Sequence, residues 1–283
     1  MTPEEVMKRH ARSFAPAAML LDRRDRARIA RLYALCRTVD DLADTVGGAE
    51  IRERLRRLAR DLDCARSADP LVREARDLLS DRAAGLAAFR HLVETVAEDT
   101  GPLAIRNEAE LDRYCAGVAG TVGVMVCALF DVDTRWHPAA TDLGKAMQMT
   151  NICRDVQPDA EAGRRYLPAT LCPHAPSAIA AGTPEAARDV RAAVAELLTR
   201  ADALYLSGRS GLPALPLRLR LAVATASGLY AGIGDELRAR ACDPLSGRVF
   251  VPARRKFRLS LTAVAGQLQA RRTPPHEGHH AAT

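Results

Sequence analysis

The chain has 283 residues and a mass of 30.6 kDa, and its 48% hydrophobic and 27% charged residues are typical of a globular protein long enough for one large domain. Its net charge is +6, but the basic residues are scattered and only 4% of all residues are aromatic. We therefore expect no nucleic-acid partner held by a basic stripe or a stacking platform.

Helical patterning runs along nearly the whole chain, without a convincing alternating strand. Thr2-Pro3-Glu4-Glu5 is typical of a helix N-terminus. In chain order, we predict further helices over 23–44, 51–62, from 69 onward, and over 86–99, 108–130, 139–156, 184–205, 217–241 and 252–271. A break is predicted at Gly101-Pro102, a loop over 208–216 and an extended piece over 247–252. The pattern predicts an all-α protein with one domain over 1–270 and a disordered tail over 271–283.

Two aspartate-rich segments carry the strongest functional signal. Each places two aspartates four residues apart, Asp40 and Asp44 in the first segment and Asp155 and Asp159 in the second. On a helix such residues lie on one face and repel each other, so they indicate either a solvated surface or a bound divalent cation. Mg²⁺ prefers a few carboxylates together with water and phosphate oxygens. The pattern alone leaves both interpretations open.

These segments, YALCRTVDDLAD and QMTNICRDVQPDAEAGRRYLP, resemble the two aspartate-rich signatures of the squalene/phytoene synthase family in order and separation. The resemblance extends to the segments 10–14, 114–123 and 248–252 and to Tyr230. It covers about residues 5 to 262, which is nearly the whole chain.

The resemblance implies a single-domain isoprenoid-synthase helical bundle around a central cavity. It implies a prenyltransferase that uses Mg²⁺, or Mn²⁺ in its place, to condense two prenyl diphosphates head to head through a cyclopropyl diphosphate. We favour geranylgeranyl diphosphate as substrate and phytoene as product. The alternatives are squalene, dehydrosqualene or presqualene diphosphate made from farnesyl diphosphate, with NADPH used only for squalene. A terpene cyclase and an inactive homologue are further alternatives, although the retained carboxylates argue against the inactive homologue.

The resemblance also implies roles for individual residues. The implied catalytic residues are Tyr33, Arg37, Arg154, Tyr166, Tyr230 and Arg248. The implied substrate-binding residues are Arg12, Ser13, Phe14 and Gln148. The implied metal-binding residues are Asp40, Asp41, Asp44, Asn151, Asp155 and Asp159.

Two positions depart from the family pattern. Pro158 stands where relatives usually have another residue, and proline tends to kink or end a helix. We therefore expect Asp159 to lie off the face that carries Asp155. Ala18 stands where some relatives have a ring, which predicts a wider cavity there.

The location is predicted from charge and hydropathy. The N-terminal segment is too charged for a signal peptide, and the longest apolar run, 122–130, is too short to span a bilayer. The seven cysteines contain no C-x-x-C pair and fit a reducing compartment. We expect a cytoplasmic protein that contacts the inner face of the membrane through arginine-rich helices, because its substrates are hydrophobic. The oligomeric state stays open.

Overall fold

The computed structural model describes residues 1–10, 15–46, 48–64, 67–79, 81–100 and 104–270. Within these ranges all regular structure is helical, apart from one isolated bridge between Ala104 and Arg165. The all-α prediction is confirmed. The predicted break at 101–102, the predicted tail over 271–283 and the implied substrate-binding residues Arg12, Ser13 and Phe14 lie outside the described residues.

The described residues form fourteen α-helices. They are α1 (Pro3–His10), α2 (Ala15–Ala18), α3 (Arg23–Val46), α4 (Ala49–Asp61), α5 (Pro70–Leu79), α6 (Ala83–Glu98), α7 (Glu108–Cys115), α8 (Thr121–Leu129), α9 (His137–Arg154), α10 (Val156–Glu161), α11 (Pro176–Ala180), α12 (Pro184–Arg209), α13 (Leu217–Ala239) and α14 (Ala253–Ala270). One π-helical turn, Ala116–Gly120, joins α7 to α8, and short 3₁₀ turns cover Thr134–Trp136 and Leu212–Ala214.

The first helix begins where the sequence predicts it. The Thr2 amide donates to Glu5 Oε2 at 2.7 Å, and the Glu5 amide donates to Thr2 Oγ1 at 3.3 Å. This reciprocal pair is a capping box, which satisfies two amides that a helix N-terminus leaves without partners. At α7 the Asn107 side chain accepts from the Glu110 amide in the same way, at 3.0 Å.

The predicted loop over 208–216 was wrong at its start. Helix α12 continues through Gly208 to Arg209, and a 3₁₀ turn follows at Leu212–Ala214. A Cβ on Gly208 would lie 2.6 Å from Leu143 Cβ and 2.7 Å from the Leu143 amide nitrogen. The glycine therefore permits close packing of α12 on α9 and does not interrupt the helix.

The predicted helix over 139–156 ends earlier than expected. Helix α9 stops at Arg154, and α10 begins at Val156, so the break falls at Asp155 and not at Pro158. Pro158 lies in the first turn of α10, where its missing N–H removes no bond within the helix. The Asp159 amide donates to the Asp155 carbonyl oxygen at 3.0 Å, which keeps the two aspartates one turn apart on a new axis.

Two apolar clusters flank the centre of the fold. The larger one surrounds α9, α12 and α13, with Ala146, Val194 and Leu237 fully buried. The second gathers α3 to α6 with α8, around Leu55 and Phe89. Helix α14 packs on the outside of α13. A cavity remains between the two clusters.

The continuous helix Glu108–Leu129 is long and apolar enough, by length and composition alone, to cross a membrane. It is longer than the nine-residue apolar run seen in the sequence because it includes α7 and the π turn. Only 39% of its most apolar window is buried inside the protein. However, Val118, Val122 and Val126 face the internal cavity, and the helix packs against α6 and α9. Part of its apolar surface therefore serves the cavity and the contacts with α6 and α9.

Candidate active site

The central cavity has a volume of about 330 Å³ and is lined mainly by α3, α8, α9 and α13. The polar groups cluster at one end, which we call the polar end. They are Tyr33, Asp40, Gln148, Asn151 and Tyr230. Asn151 on α9 and Trp136, which directly precedes that helix, both line the cavity and are fifteen residues apart, which corresponds to about 22 Å at 1.5 Å per residue.

The lining between these ends is apolar. It includes Ile29, Leu32, Val118, Val122, Val126, Leu143, Met147, Leu219 and Ala226. A site of this shape suits a molecule with a polar head and a long hydrocarbon tail, because the tail is shielded from water along its length.

Helix α3 supplies one side of the polar end. Tyr33, Arg37 and Asp40 share a face because they are spaced by three or four residues. Arg37 Nη2 lies 2.5 Å from Asp41 Oδ1, while the buried Arg37 Nε has no hydrogen-bond partner in the described part of the chain. Burial raises the pKa of Tyr33, and the Arg37 charge opposes that effect. Asp44 continues this face along the helix, but its side chain lies outside the described part.

Helix α9 and the residue that follows it supply the opposite side. Arg154 pairs with Asp155 through two contacts, with Nε donating to Oδ1 at 2.8 Å and Nη2 donating to Oδ2. The side chain of Arg248 is 76% exposed, and its Nε lies 4.0 Å from Asp155 Oδ1. Asn151 Oδ1 is buried and accepts no hydrogen bond from any described residue. Asn151 Nδ2 lies 3.5 Å from Gln148 Oε1.

Tyr230 on α13 connects the two sides. Burial raises its pKa, the positive charge of Arg154 lowers it, and Tyr33 raises it further. The side chain of Asn151 also hydrogen-bonds to it. Tyr230 therefore lies close to Tyr33 on α3 and to Asn151 and Arg154 on α9, so that α3, α9 and α13 meet at the polar end.

Asp159 occupies a different environment from Asp40. It lines a small pocket beside α10 together with Arg164 and Tyr166, and it does not line the central cavity. Burial raises the pKa of Asp159 to about 7, Asp155 adds to this rise, and the charge of Arg164 opposes it. The second aspartate pair is therefore partly withdrawn from solvent, next to the polar end.

A buried hydrogen-bond cluster beside this pair was not predicted. Tyr114 donates to Asp99 Oδ2 at 2.9 Å, and Tyr166 donates to the same atom at 3.2 Å. The two rings lie 5.1 Å apart, and burial raises the pKa of both phenols. Asp99 also raises the pKa of Asp159. The sequence signals Tyr114 only as part of a motif, and a single acid at the end of α6 gives no signal for Asp99.

The donor atoms at this site fit Mg²⁺. Among the described residues, no three His, Cys, Asp or Glu side chains come close enough to hold one metal ion. Mg²⁺ does not need three, since it is commonly held by one or two carboxylates together with substrate phosphate oxygens and water. The unpartnered, buried amide oxygen of Asn151 is a further hard donor at the same end.

Comparisons of the sequence with known proteins all match one family. A family model described as squalene/phytoene synthase matches residues 7–255. The phytoene synthase of Cereibacter sphaeroides is 35% identical over 89% of this chain and 76% of that protein. The phytoene synthase of Thermus thermophilus is 34% identical over 96% of this chain and 94% of that protein.

Solved structures agree on the fold. A dehydrosqualene synthase in complex with ligand is 26% identical and superposes with a TM-score of 0.82 over 95% of each chain. Squalene synthase HpnC from Alicyclobacillus acidocaldarius is 23% identical, with a TM-score of 0.73 over 86% of this chain and 94% of that one.

Proposed function

Because the chain belongs to the squalene/phytoene synthase family, whose members are prenyltransferases, we propose that it condenses two molecules of geranylgeranyl diphosphate head to head. The product is phytoene, formed through a cyclopropyl diphosphate. The observation that carries the proposal is the long apolar cavity with its single polar end. The relatives named phytoene synthase support this choice of product.

The family generally needs a divalent metal for diphosphate binding. We assign Mg²⁺ here, with Mn²⁺ as a substitute, to Asp40, Asp41 and Asp44 on one side and Asn151, Asp155 and Asp159 on the other. When bound, the ions would neutralise the diphosphate charge and so favour its departure.

The arginines bind the diphosphates in this proposal. Arg37 keeps a buried Nε donor that no described residue uses. Arg154 is oriented by Asp155 through Nε and Nη2, and this pairing does not use Nη1. The guanidinium fork suits phosphate oxygens. Arg248 is exposed and adds a charge at the solvent side.

The rest of the cavity protects the reacting carbon chain. Tyr33 and Tyr230 keep their protons because burial raises their pKa values, so each can donate a hydrogen bond to a diphosphate oxygen. Their rings also offer π density toward a carbocation. The apolar walls exclude water, which would otherwise quench the cation early. Gln148 lies at the same polar end and is assigned to the head groups.

Two neighbouring activities remain as alternatives. The likeness to a dehydrosqualene synthase favours farnesyl diphosphate as an alternative substrate, giving dehydrosqualene, squalene or presqualene diphosphate. NADPH would be consumed only if squalene were formed. A cyclase that uses one diphosphate keeps the same cavity and the same metal site. For each of these we propose a cytoplasmic enzyme with peripheral membrane contact and no nucleic-acid partner.

Product analysis tests the proposal. Purified protein is incubated with Mg²⁺ and either farnesyl or geranylgeranyl diphosphate, with and without NADPH, and the organic extract is analysed by mass spectrometry. We expect a C40 hydrocarbon from geranylgeranyl diphosphate and no product in EDTA. A C30 product alone would show that the substrate is farnesyl diphosphate and not geranylgeranyl diphosphate. A C15 or C20 hydrocarbon would show that the protein is a cyclase. No product from either substrate would overturn the activity.

A further inference from the structure

Exposed hydrophobic side chains are concentrated near the end of the described chain. Seven large hydrophobic side chains are exposed among the described residues, and four of them belong to one segment. These are Phe250, Phe257, Leu261 and Leu268, with exposed fractions of 66%, 67%, 54% and 44%. Single exposed side chains are normal on a protein surface, but a group on one element indicates an interaction surface.

Three of the four share one face of α14. Helical spacing brings Phe257, Leu261 and Leu268 together, and we call them the apolar face of α14. The opposite side of the helix packs inward. Leu259 packs against the cluster around α13, and Ala263 packs against the cluster that contains Leu21. The apolar face therefore points away from the protein.

The charges on α14 are all positive. The helix contains four basic residues and no acidic residue. Arg254 and Arg258 are exposed at the border of the apolar face, and neither pairs with a carboxylate among the described residues. Arg255, in contrast, turns toward α13, where it donates to Asp235 at 2.9 Å and to Glu236 at 2.8 Å. The outward surface thus combines apolar side chains with unneutralised guanidinium groups.

We propose that the apolar face of α14 docks on a bilayer that contains anionic phospholipids. The aromatic and leucine side chains enter the boundary between headgroups and acyl chains, and Arg254 and Arg258 bind lipid phosphates. Charge complementarity favours this partner, since a second copy that docks through its own α14 would bring the same positive charges together. Helix α13 lies beneath α14, and its Ala226 and Tyr230 line the central cavity. Docking therefore brings the α13 wall of the cavity close to the lipid. A role of this closeness in exchanging prenyl substrates and products rests on the proposed function, whereas the docking itself does not.

Vesicle sedimentation tests the docking. Full-length protein is mixed with vesicles of phosphatidylcholine and phosphatidylglycerol in equal amounts, or with phosphatidylcholine alone. We expect binding to the anionic vesicles that weakens as salt is raised, and a loss of about tenfold or more in the Phe257→Ser/Leu261→Ser variant. Leu206→Ser is the matched control, because it removes a leucine that is 77% exposed on α12. That control should bind like the wild type.

A second variant tests the docking in case the serine variant does not fold. If thermal unfolding shows that the serine variant is damaged, Arg254→Gln/Arg258→Gln keeps the apolar face and should lose the preference for anionic vesicles. Wild-type-like binding by folded variants of both kinds would overturn the proposal, and so would absence of binding by the wild type. A dimer that the serine substitutions abolish, without vesicle binding, would also overturn it and make the face a contact between copies.

The assay separates the two proposals. Sedimentation needs no substrate, so vesicle binding is measured whether or not the protein forms a prenyl product. In a vesicle-free assay the serine variant should keep wild-type activity, because Phe257 and Leu261 face outward and do not line the cavity. Failure of the proposed function would appear as absence of product from the wild type.

Discussion

Asp40 lies at the polar end of the cavity, one helical turn from Arg37 and two turns from Tyr33. Its neighbours differ from those of Asp159, which burial and Asp155 push toward protonation. Two carboxylates in similar motifs thus have different surroundings, since Asp40 lines the central cavity and Asp159 lines the small pocket beside α10. We therefore expect the two to respond differently to substitution.

Replacing Asp40 by alanine should abolish turnover without unfolding the protein. The change removes a proposed metal ligand from a cavity wall, and loss of one electrostatic partner of a developing charge commonly costs about 10²–10³-fold in rate. Steady-state kinetics and circular dichroism measure the two effects. Glu94→Ala on α6 is the control, because Glu94 is exposed and does not line the cavity. Near-normal activity of Asp40→Ala would contradict the metal assignment.

Asp159 should make the stability of the metal-free protein depend on pH. Its pKa is raised from 3.8 to about 7, so between these values the folded state holds a proton that the unfolded state releases. The free energy of unfolding should fall as pH rises through this range, and Asp159→Asn should remove that part of the fall. Urea denaturation in EDTA at about pH 5 and about pH 8 measures the difference. Parallel profiles for wild type and variant would show that Asp159 titrates normally.

At the level of helices, the π turn, Gly123 on α8 and Gly144 on α9 set how closely the two helices approach each other. A π turn inserts one residue into a helix and so rotates everything after it by about 100°. A Cβ on Gly144 of α9 would lie 2.2 Å from the Ala119 carbonyl oxygen in the π turn. The two backbones touch, and the cavity lining from Val122 onward depends on this register.

Gly144→Ala should therefore destabilise the fold. Neither backbone can move aside cheaply, and we expect a loss of about 1–3 kcal/mol in the free energy of unfolding. Gly266→Ala is the matched control within α14, since its Cβ would meet no described atom within 4 Å. That change should stabilise the protein by up to about 1 kcal/mol. Denaturant titration of both variants measures these shifts, and equal stability of the two would argue against the close approach.

The order of the helices could be predicted from the sequence, because apolar periodicity and capping residues are local signals. Thr2 and Glu5 form the predicted cap. The prediction of a loop at Gly208 was wrong, because the sequence alone does not distinguish a glycine that permits close helix packing from a glycine that forms a turn. The break at Asp155 and the role of Asp99 depend on contacts between distant segments, which leave no local pattern.

At the scale of the whole molecule, the cavity exists because the two apolar clusters do not meet between α3, α8, α9 and α13. Trp136, just before α9, lines the cavity, and its ring lies near Gly211 and beneath the Arg135 guanidinium, 5.5 Å away. If the proposed function holds, we expect this bulky side chain to limit the length of the prenyl chain that the cavity accepts.

Trp136→Ala should shift the preference toward longer substrates. Removing the indole lengthens the cavity, and we expect the kcat/KM for a C25 diphosphate relative to the C20 diphosphate to rise about tenfold or more. Trp136→Phe, which keeps a ring, should fall between the two. Competition assays with both substrates measure the ratio. An unchanged ratio in the alanine variant would place the limit elsewhere in the cavity.

Trp136 is also the only tryptophan in the chain. The indole emission of the protein therefore comes from a single fluorophore, which lines the cavity about fifteen residues before Asn151 of the polar end. We expect a hydrocarbon tail that reaches the indole to shift its emission to shorter wavelength, and a shorter tail or free diphosphate to leave the spectrum unchanged. Tryptophan fluorescence of the unlabelled protein can therefore report how far a ligand extends into the cavity.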